Sequence, residues 1–318
     1  MELLQTNSEF QQFVPVGTQF SIENIKDDIQ NTLIDKIFRY IPEAFLQSII
    51  DKDNKSEDEQ ELLIRVKRAT ANLAFSLHYA LVKVNISDLG ITNIGSDDNS
   101  KQASKEDKED VYKSLINKGY SALESAITLL YTRRDSFQAW KESDSYVDLS
   151  TLFVRNTDEF KLTKSYRAFL EVIPFIESIE VEFVEMYDKD IIKLLRKNLK
   201  ENSLSDVQQE LLTKYLQPAI SMKSAALATY MNAIGRDPNG NISIYQDDGE
   251  FTRSKREVAQ QKIQNWANKL EELADKRFSL TSKFIQDNYL ELGGKTAVPT
   301  IETFPLIRNQ EDWGTTFH

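Results

Sequence analysis

Apolar residues recur along most of this chain at the three- and four-residue spacing of amphipathic helices. A first series starts after Ser21, whose hydroxyl can cap a helix, and the most apolar series extends from about residue 59 to 84. Ala69, Leu73 and Ala74 lie in that series, and small residues mixed with leucine predict close packing against a second helix. With only 10 glycines and 7 prolines in 318 residues, the pattern predicts a mainly α protein. Further helical series are predicted over residues 104–130, 165–184, 207–234 and 254–289.

One stretch of sequence occurs twice, at 90–105 and again at 240–255, and the separation is 240 − 90 = 150 residues without a gap. Each copy has a short alternating segment typical of a strand, an acidic pair typical of a turn, and a return strand. Ser104 and Ser254 each begin a Ser-x-x-acid capping box, which predicts a helix N-terminus at both places. The predicted strands are 91–94 with 101–103, and 242–245 with 251–253.

The same offset aligns residues outside the repeated stretch. It pairs Ala69 with Ala219 upstream, and downstream it pairs Leu123 with Leu273 and Leu130 with Leu280. We therefore predict two tandem helical-bundle modules, each with a short β-hairpin between its long helices. Pro218 stands where the first copy has Arg68, and this proline predicts a kink in the long helix of the second copy.

These boundaries give five segments along the chain. The C-terminal segment is too apolar for a solvated tail and too interrupted for a helix, so we expect it to dock on another surface. Its apolar residues are Phe304, Leu306, Ile307, Trp313 and Phe317. The five segments are an N-terminal arm (1–17), helical module 1 (18–140), a linker (141–160), helical module 2 (161–290) and a C-terminal docking arm (291–318).

Composition narrows the function classes. The absence of cysteine excludes disulfides, thiolate metal sites and cysteine nucleophiles. No apolar run approaches the roughly 20 residues of a membrane span, and the first residues, MELLQTNSEFQQF, lack the features of a secretory signal. The net charge of −11 argues against a sequence-independent grip on nucleic acid, which requires lysine and arginine at the phosphates.

Candidate chemistry is sparse in this sequence. His78 falls within a predicted helix, so a partly buried structural role is expected, and His318 has no partner histidine nearby in sequence. The acidic pairs 97–98 and 247–248 are expected to be solvated turn formers, since no calcium-loop spacing surrounds them. We therefore predict no catalytic residue, no cofactor and no metal site, and we expect that the protein is not an enzyme.

Two long helices separated by a short hairpin resemble the head–tail connector (adaptor, or ring) proteins of tailed bacteriophages. The order of apolar helix, Gly90-Ile-Thr-Asn-Ile hairpin and Ala103-Ser104-Lys-Glu helix is similar to duplicated connector-type proteins in phages of Bacteroidetes hosts. The resemblance covers most of residues 18–290. It implies a structural virion protein that forms a ring, commonly twelvefold, in the phage neck.

Such a ring would join the portal and head to further neck and tail proteins and let DNA pass without sequence-specific binding. The resemblance also implies synthesis in the bacterial host cytoplasm, incorporation into the virion and no membrane partner. Under this hypothesis the hairpins and the C-terminal docking arm contact a neighbouring copy or partner. The hairpin residues expected to do so are Ile94, Asp97, Asp98, Ile244, Asp247 and Asp248.

A second class of function remains open from the sequence. Two helical modules can also form a regulatory or binding protein that presents a groove to a peptide or a nucleic acid. The two classes differ in assembly, since a ring protein is expected to form higher-order oligomers with particle components. A binding module is expected to be a monomer or a dimer.

Overall fold

The computed structural model describes residues 3–16, 20–82, 84–87, 90–93, 105–184, 187–231, 234–236, 242–244 and 256–294. The protein is mainly α-helical, as predicted. Its contacts divide the chain into two compact units, unit 1 (Met1–Val147) and unit 2 (Asp148–His318). None of the helices in the described ranges combines the length and apolarity that a membrane span needs.

The described residues of unit 1 form six α-helices, one π-helical turn (Leu33–Ile37) and an antiparallel pair of strands. Short 3₁₀ turns cover Ile22–Ile25 and Arg134–Ser136. The strands are β1 (Val84–Ser87) and β2 (Gly90–Asn93). The helices are α1 (Asn7–Gln11), α2 (Lys26–Thr32), α3 (Glu43–Ile50), α4 (Glu57–Val82), α5 (Lys105–Thr132) and α6 (Gln138–Lys141).

The centre of unit 1 is the contact between the two long helices α4 and α5. Their facing residues are small or aliphatic, and Gly119 of α5 lies against Leu73 of α4. A Cβ placed at Gly119 would be 2.6 Å from Leu73 Cγ and 3.2 Å from the Leu73 backbone nitrogen. Glycine is unfavourable inside a helix. Its presence at this position indicates that the close approach of α4 and α5 stabilises the fold by more than the low helix propensity of glycine costs.

The first residues of the chain belong to this core. Thr6 caps α1 by accepting a hydrogen bond from the Glu9 backbone N–H at 3.2 Å, and Leu3, Phe10 and Val14 are buried. These residues were expected to form an N-terminal arm, and the structure corrects that expectation. The apolar residues are few and widely spaced, which made a short packed helix look like a polar lead-in.

Unit 2 contains a comparable set of elements. A 3₁₀ turn (Leu149–Thr151) comes first, two π-helical turns cover Glu180–Val184 and Leu211–Leu216, and two strands pair antiparallel. The strands are β3 (Ile234–Arg236) and β4 (Ile242–Ile244). The helices are α7 (Thr157–Phe160), α8 (Tyr166–Ile179), α9 (Lys189–Lys200), α10 (Asp206–Glu210), α11 (Gln217–Tyr230) and α12 (Arg256–Asp287).

The unit boundary and the predicted linker do not coincide. The chain divides between Val147 and Asp148, whereas residues 141–160 were predicted to be a linker. Phe153, Val154 and Phe160 in that range are buried in unit 2. Polar residues between them concealed these core positions.

A π-helical turn leads into Pro218, the predicted kink site. Proline has no N–H, so the carbonyl four residues earlier, that of Lys214, has no bond of the α-helical kind. Arg277 of α12 donates a hydrogen bond from Nη1 to that carbonyl at 3.2 Å. The irregular turn at 211–216 and this side chain together accommodate the proline inside a long helical segment.

The strands pair differently from the prediction. β2 overlaps the predicted strand 91–94, but its partner is β1, and Val84 faces Asn93. Likewise β4 pairs with β3, and Ile234 faces Ile244. Both partners lie upstream, where residues 84 and 234 were expected to end a helix. The predicted return strands 101–103 and 251–253 lie outside the described residues.

The ungapped offset of 150 does not match the pattern of burial in the last helix. Leu123 and Leu130 of α5 are 0% exposed, whereas Leu273 and Leu280 of α12 are 39% and 41% exposed. A shorter offset of 148 aligns the buried positions instead. It pairs Ala122, Ala126 and Leu130 with Leu270, Ala274 and Phe278, all buried. Two residues correspond to about 200° around a helix, so the ungapped register turned buried leucines onto solvated positions.

Substituting Gly119 by alanine tests the helix contact. Because the added methyl meets Leu73 side-chain and backbone atoms, we expect the urea midpoint of unit 1 to fall, with a loss of about 1–3 kcal/mol in the free energy of unfolding. Ser121→Ala, at an exposed position of α5, is the matched control and should change little. A Gly119→Ala variant as stable as the control would contradict the proposed contact.

Candidate interaction surfaces

The contact residues predicted from the sequence lie almost entirely outside the described part of the chain. Ile244 is the last residue of β4 and faces Ile234, which is buried. The structure therefore assigns Ile244 a place in a strand pair. The residues outside the described ranges are Ile94, Asp97, Asp98, Asp247, Asp248, Phe304, Leu306, Ile307, Trp313 and Phe317.

In unit 1, an exposed aliphatic residue lies among acidic side chains on the first helical layer. Ile34 is 54% exposed within the π-helical turn, although its neighbours Leu33 and Ile37 are fully buried. Exposed acids accompany it on α2 and the adjoining turns, and one of them, Glu23, also pairs with Lys26 at 2.9 Å. We call Glu23, Asp27, Ile34 and Asp35 the acidic ridge.

In unit 2, the exposed side of α12 alternates lysine and leucine. Leu273 and Leu280 are one heptad apart, and a lysine follows each of them three residues later. All five residues of this set are exposed, with Glu272 at its border. We call Lys269, Leu273, Lys276, Leu280 and Lys283 the lysine–leucine stripe. The ungapped register pairs these leucines with Leu123 and Leu130, which are buried, and so gives no sign of an exposed stripe.

A polar network joins α11 to α12 near the strand pair of unit 2. Lys223 Nζ lies 2.8 Å from Glu271 Oε1 and 3.0 Å from Asp275 Oδ1. Tyr230 donates from its hydroxyl to Asn268 Oδ1 at 2.7 Å and to Glu271 Oε2 at 3.0 Å. Burial lowers the pKa of Lys223, but the hydrogen bonds to both carboxylates outweigh burial and raise that pKa above its usual value. The lysine therefore stays charged and holds the two helices together.

Unit 2 also encloses a carboxylate. Glu180, at the start of its π-helical turn, accepts a hydrogen bond from the Phe153 backbone N–H at 2.7 Å. Arg196 of α9 places Nη1 3.0 Å from Glu180 Oε2 and donates from the same nitrogen to the Thr151 carbonyl at 2.6 Å. The guanidinium also lies over the Phe153 ring, 4.5 Å from its centroid. Glu180 and Arg196 thus tie the first residues of unit 2 to two of its helical elements.

Burial raises the pKa of Glu180 to about 7, against the lowering effect of the Phe153 N–H and of Arg196. An exposed glutamate has a pKa of 4.5, so between these values the folded state binds the proton more tightly than the unfolded state. The stabilisation from protonated Glu180 is therefore complete below the unfolded value and is lost as the pH rises through about 7. Over the whole window this amounts to about 3 kcal/mol.

Other polar features of unit 1 have structural partners. His78 Nδ1 lies 3.2 Å from Asp28 Oδ2 and is partly buried, as expected for a structural histidine. A pocket of ≈ 210 Å³ is lined by residues that include Leu3 and Leu63, and an ion pair between Glu9 and Lys67 at 2.8 Å lies in its wall. Across the described ranges no group of three histidines or acids is arranged to hold a metal ion.

Glu180→Gln tests the buried carboxylate, because glutamine imitates the protonated form and does not titrate. We expect the wild-type free energy of unfolding of unit 2 to fall between pH 5 and pH 8, by up to about 3 kcal/mol, and this slope to be reduced in the variant. Urea titrations over that pH range measure it. Glu182→Gln, at an exposed position of the same turn, should keep the wild-type slope. Equal slopes for wild type and Glu180→Gln would contradict the assignment.

Comparison with known proteins reaches only the first unit. Residues 25–149 match a family of unknown function (DUF6712), and this range, less than half of the chain, nearly coincides with unit 1. No curated protein and no solved structure matches the chain. What the protein does must therefore be argued from its own surfaces, with residues 25–149 similar to a family of unknown function.

Proposed function

We propose that the chain is a structural protein of a phage neck, built from two copies of one helical module and assembled into a ring that joins the portal to the tail. The observation that carries the proposal is the recurrence of the same elements, caps and irregular turns in the two units. The ring and its position in the virion rest on the resemblance of the helix–hairpin–helix order to connector proteins.

The first helix of each unit begins in the same way. Thr6 caps α1 and Asn156 caps α7, and 156 − 6 = 150. In both helices the glutamate three residues later accepts a second hydrogen bond, Glu9 from the Gln5 N–H and Glu159 from the Arg155 N–H. One such cap is common. Two at the same offset, each with the same second bond, support duplication.

The long helices give a finer correspondence. Ser56 and Glu59 form reciprocal cap bonds in unit 1, and Ser205 with Gln208 forms them in unit 2, where 205 − 56 = 149. Further along, buried Ala69 and Ala219 are 150 apart. A π-helical turn contains one extra residue, and the turn at 211–216 lies between the two points. A one-residue insertion absorbed by a π turn accounts for the change of offset.

The second layer shows the same correspondence. The π-helical turns begin at Leu33 and Glu180, and 180 − 33 = 147. At this offset buried Ile25 and Ile29 pair with buried Val172 and Ile176. Exposed Ile34 then pairs with Val181, which is 64% exposed. An irregular turn that recurs with the same pattern of burial supports descent from one module.

A ring made by one protein needs a heterologous interface, in which two different patches meet and the rotation closes. A chain of two modules that have diverged at the surface can provide such patches, one on each unit. The net charge of −11 fits a lumen along which DNA moves without adhering, since tight binding relies on lysine and arginine that displace counterions from the DNA phosphates.

The ring hypothesis predicts the mass of the protein in solution. We expect the purified chain, alone or mixed with the phage portal protein, to form a closed oligomer that is visible by negative-stain electron microscopy. Light scattering measures the mass of this oligomer. The number of copies is expected to be twelve by resemblance to connector proteins. A monomer or dimer at all concentrations, with and without portal, would contradict the ring and favour a binding module.

Removing residues 295–318 tests the predicted docking role of the C-terminal segment. If the apolar residues of this segment contact a neighbour or the portal, truncation should weaken assembly and leave the helical signal in circular dichroism unchanged. Replacing the same residues with a Gly/Ser sequence of equal length controls for length. Full assembly of the truncated chain would show that the segment is not a docking element.

A further inference from the structure

The lysine–leucine stripe has no counterpart in unit 1. At the offset of 148, Leu273 and Leu280 correspond to Ser125 and Thr132 of α5. Lys269 and Lys276 correspond to Ser121 and Thr128 of α5, and Lys283 to Asp135 in the 3₁₀ turn after it, so the equivalent positions of unit 1 are polar and none is a lysine. The stripe is therefore a property of unit 2 alone and is not required by the helical packing that both units share.

Single exposed leucines are ordinary on protein surfaces. Two leucines one heptad apart, 39% and 41% exposed and each followed three residues later by lysine, provide two apolar anchor points on one side of α12. The chain is acidic overall, with a net charge of −11, but the charged residues that accompany these two leucines in the stripe are lysines. A partner for the stripe should present aliphatic and acidic groups at similar spacing.

The acidic ridge of unit 1 has these features. Asp27 and Ile34 are one heptad apart on one helical layer, Asp35 adjoins them, and all three are exposed. At the offset of 147, the positions of Glu23, Asp27 and Asp35 in unit 2 hold Leu170, Pro174 and Glu182. Unit 2 thus keeps the exposed aliphatic residue, Val181, and one of the three acids at these positions, and it adds exposed Glu177 where unit 1 has Gln30.

We propose that the lysine–leucine stripe of one copy docks on the acidic ridge of unit 1 in a second copy. Charge complementarity favours unit 1 over unit 2 as the acceptor, since three exposed acids accompany Ile34, whereas two, Glu177 and Glu182, accompany Val181. Ile34 supplies the apolar contact for Leu273 and Leu280. This inference rests on the proposed function, because it names the contact through which the ring is built.

The contact joins unlike surfaces, so it is heterologous and leaves a free stripe and a free ridge at the two ends of every pair. A third copy adds in the same way, and the series ends only by closing. The apolar groups supply most of the binding free energy, whereas the charges set the partner and the orientation. Assembly should accordingly weaken with added salt without being abolished.

Charge reversals at the two surfaces test the inference. Lys276→Glu alters the stripe and Asp35→Lys alters the ridge, and both positions are exposed, so each variant should fold with wild-type helicity and melting. Each should weaken self-association about tenfold or more in sedimentation velocity, since like charges then meet. Mixing the two variants should recover association, because the intact ridge of one accepts the intact stripe of the other.

Lys193→Glu and Asp53→Lys, at exposed positions off both surfaces, are the matched controls and should assemble as wild type. If the wild type assembles and neither Lys276→Glu nor Asp35→Lys weakens it, the inference is overturned while the ring stands. If the mixture stays as weak as each variant, the two surfaces do not face each other.

Loss of binding to anionic vesicles in Lys276→Glu, with self-association intact, would assign the stripe to a lipid surface and overturn the inference. A wild type that never assembles would remove the proposed function itself.

Discussion

The distance between two long helices is the constraint on which the arrangement of each unit depends. In unit 1, α4 and α5 come so close that Gly119 leaves no room for a Cβ beside Leu73. In the proposed alignment of the two units, the corresponding positions of unit 2 hold Lys223 and buried Ala267, and Lys223 bridges to two carboxylates of α12. The same pairing of helices is therefore stabilised by close apolar packing in one unit and by a partly buried ion pair in the other. Because each helix presents one face to its partner, that pairing also decides which residues remain for contact with other molecules.

The sequence predicts a large part of this arrangement and misses the rest for definable reasons. Helical spacing and scarce breakers are local signals, so the mainly α fold and the long helices could be predicted. The strands at Val84 and Ile234 could not, because short alternating segments directly after a helix fit its period as well. The lysine–leucine stripe was hidden by an error of two residues in register, which places a residue on the opposite side of a helix. The hairpin residues expected to make contacts come from the stretch that occurs twice in the sequence, at 90–105 and 240–255. Similarity between two segments indicates a shared local fold more directly than it indicates a binding surface.

The buried Glu180 shows how far the two units differ beneath a similar pattern. It takes the place of Leu33 at an offset of 147, and Arg196 takes that of buried Leu46 at an offset of 150. An apolar pair of positions in one unit is thus a hydrogen-bonded Glu–Arg contact in the other. Burial disfavours the charged carboxylate, and desolvation offsets the attraction to Arg196 once Glu180 ionises, but the hydrogen bonds fix the geometry. Here Arg196 and Glu180 hold the segment that contains Thr151 and Phe153, close to where unit 2 begins.

Divergence of the surfaces has a different consequence from divergence of the core. If both units carried the same exposed seam, copies could associate through identical patches, and identical patches related by a two-fold axis give closed pairs rather than rings. In the proposed contact, the stripe of unit 2 in one copy meets the acidic ridge of unit 1 in another, so the attraction is between unlike units of different copies. Repulsion between two lysine-bearing stripes, or between two acidic ridges, disfavours the symmetric pairings. Two modules of similar fold but different surface can therefore give an assembly a head-to-tail direction. Two modules with identical surfaces would not.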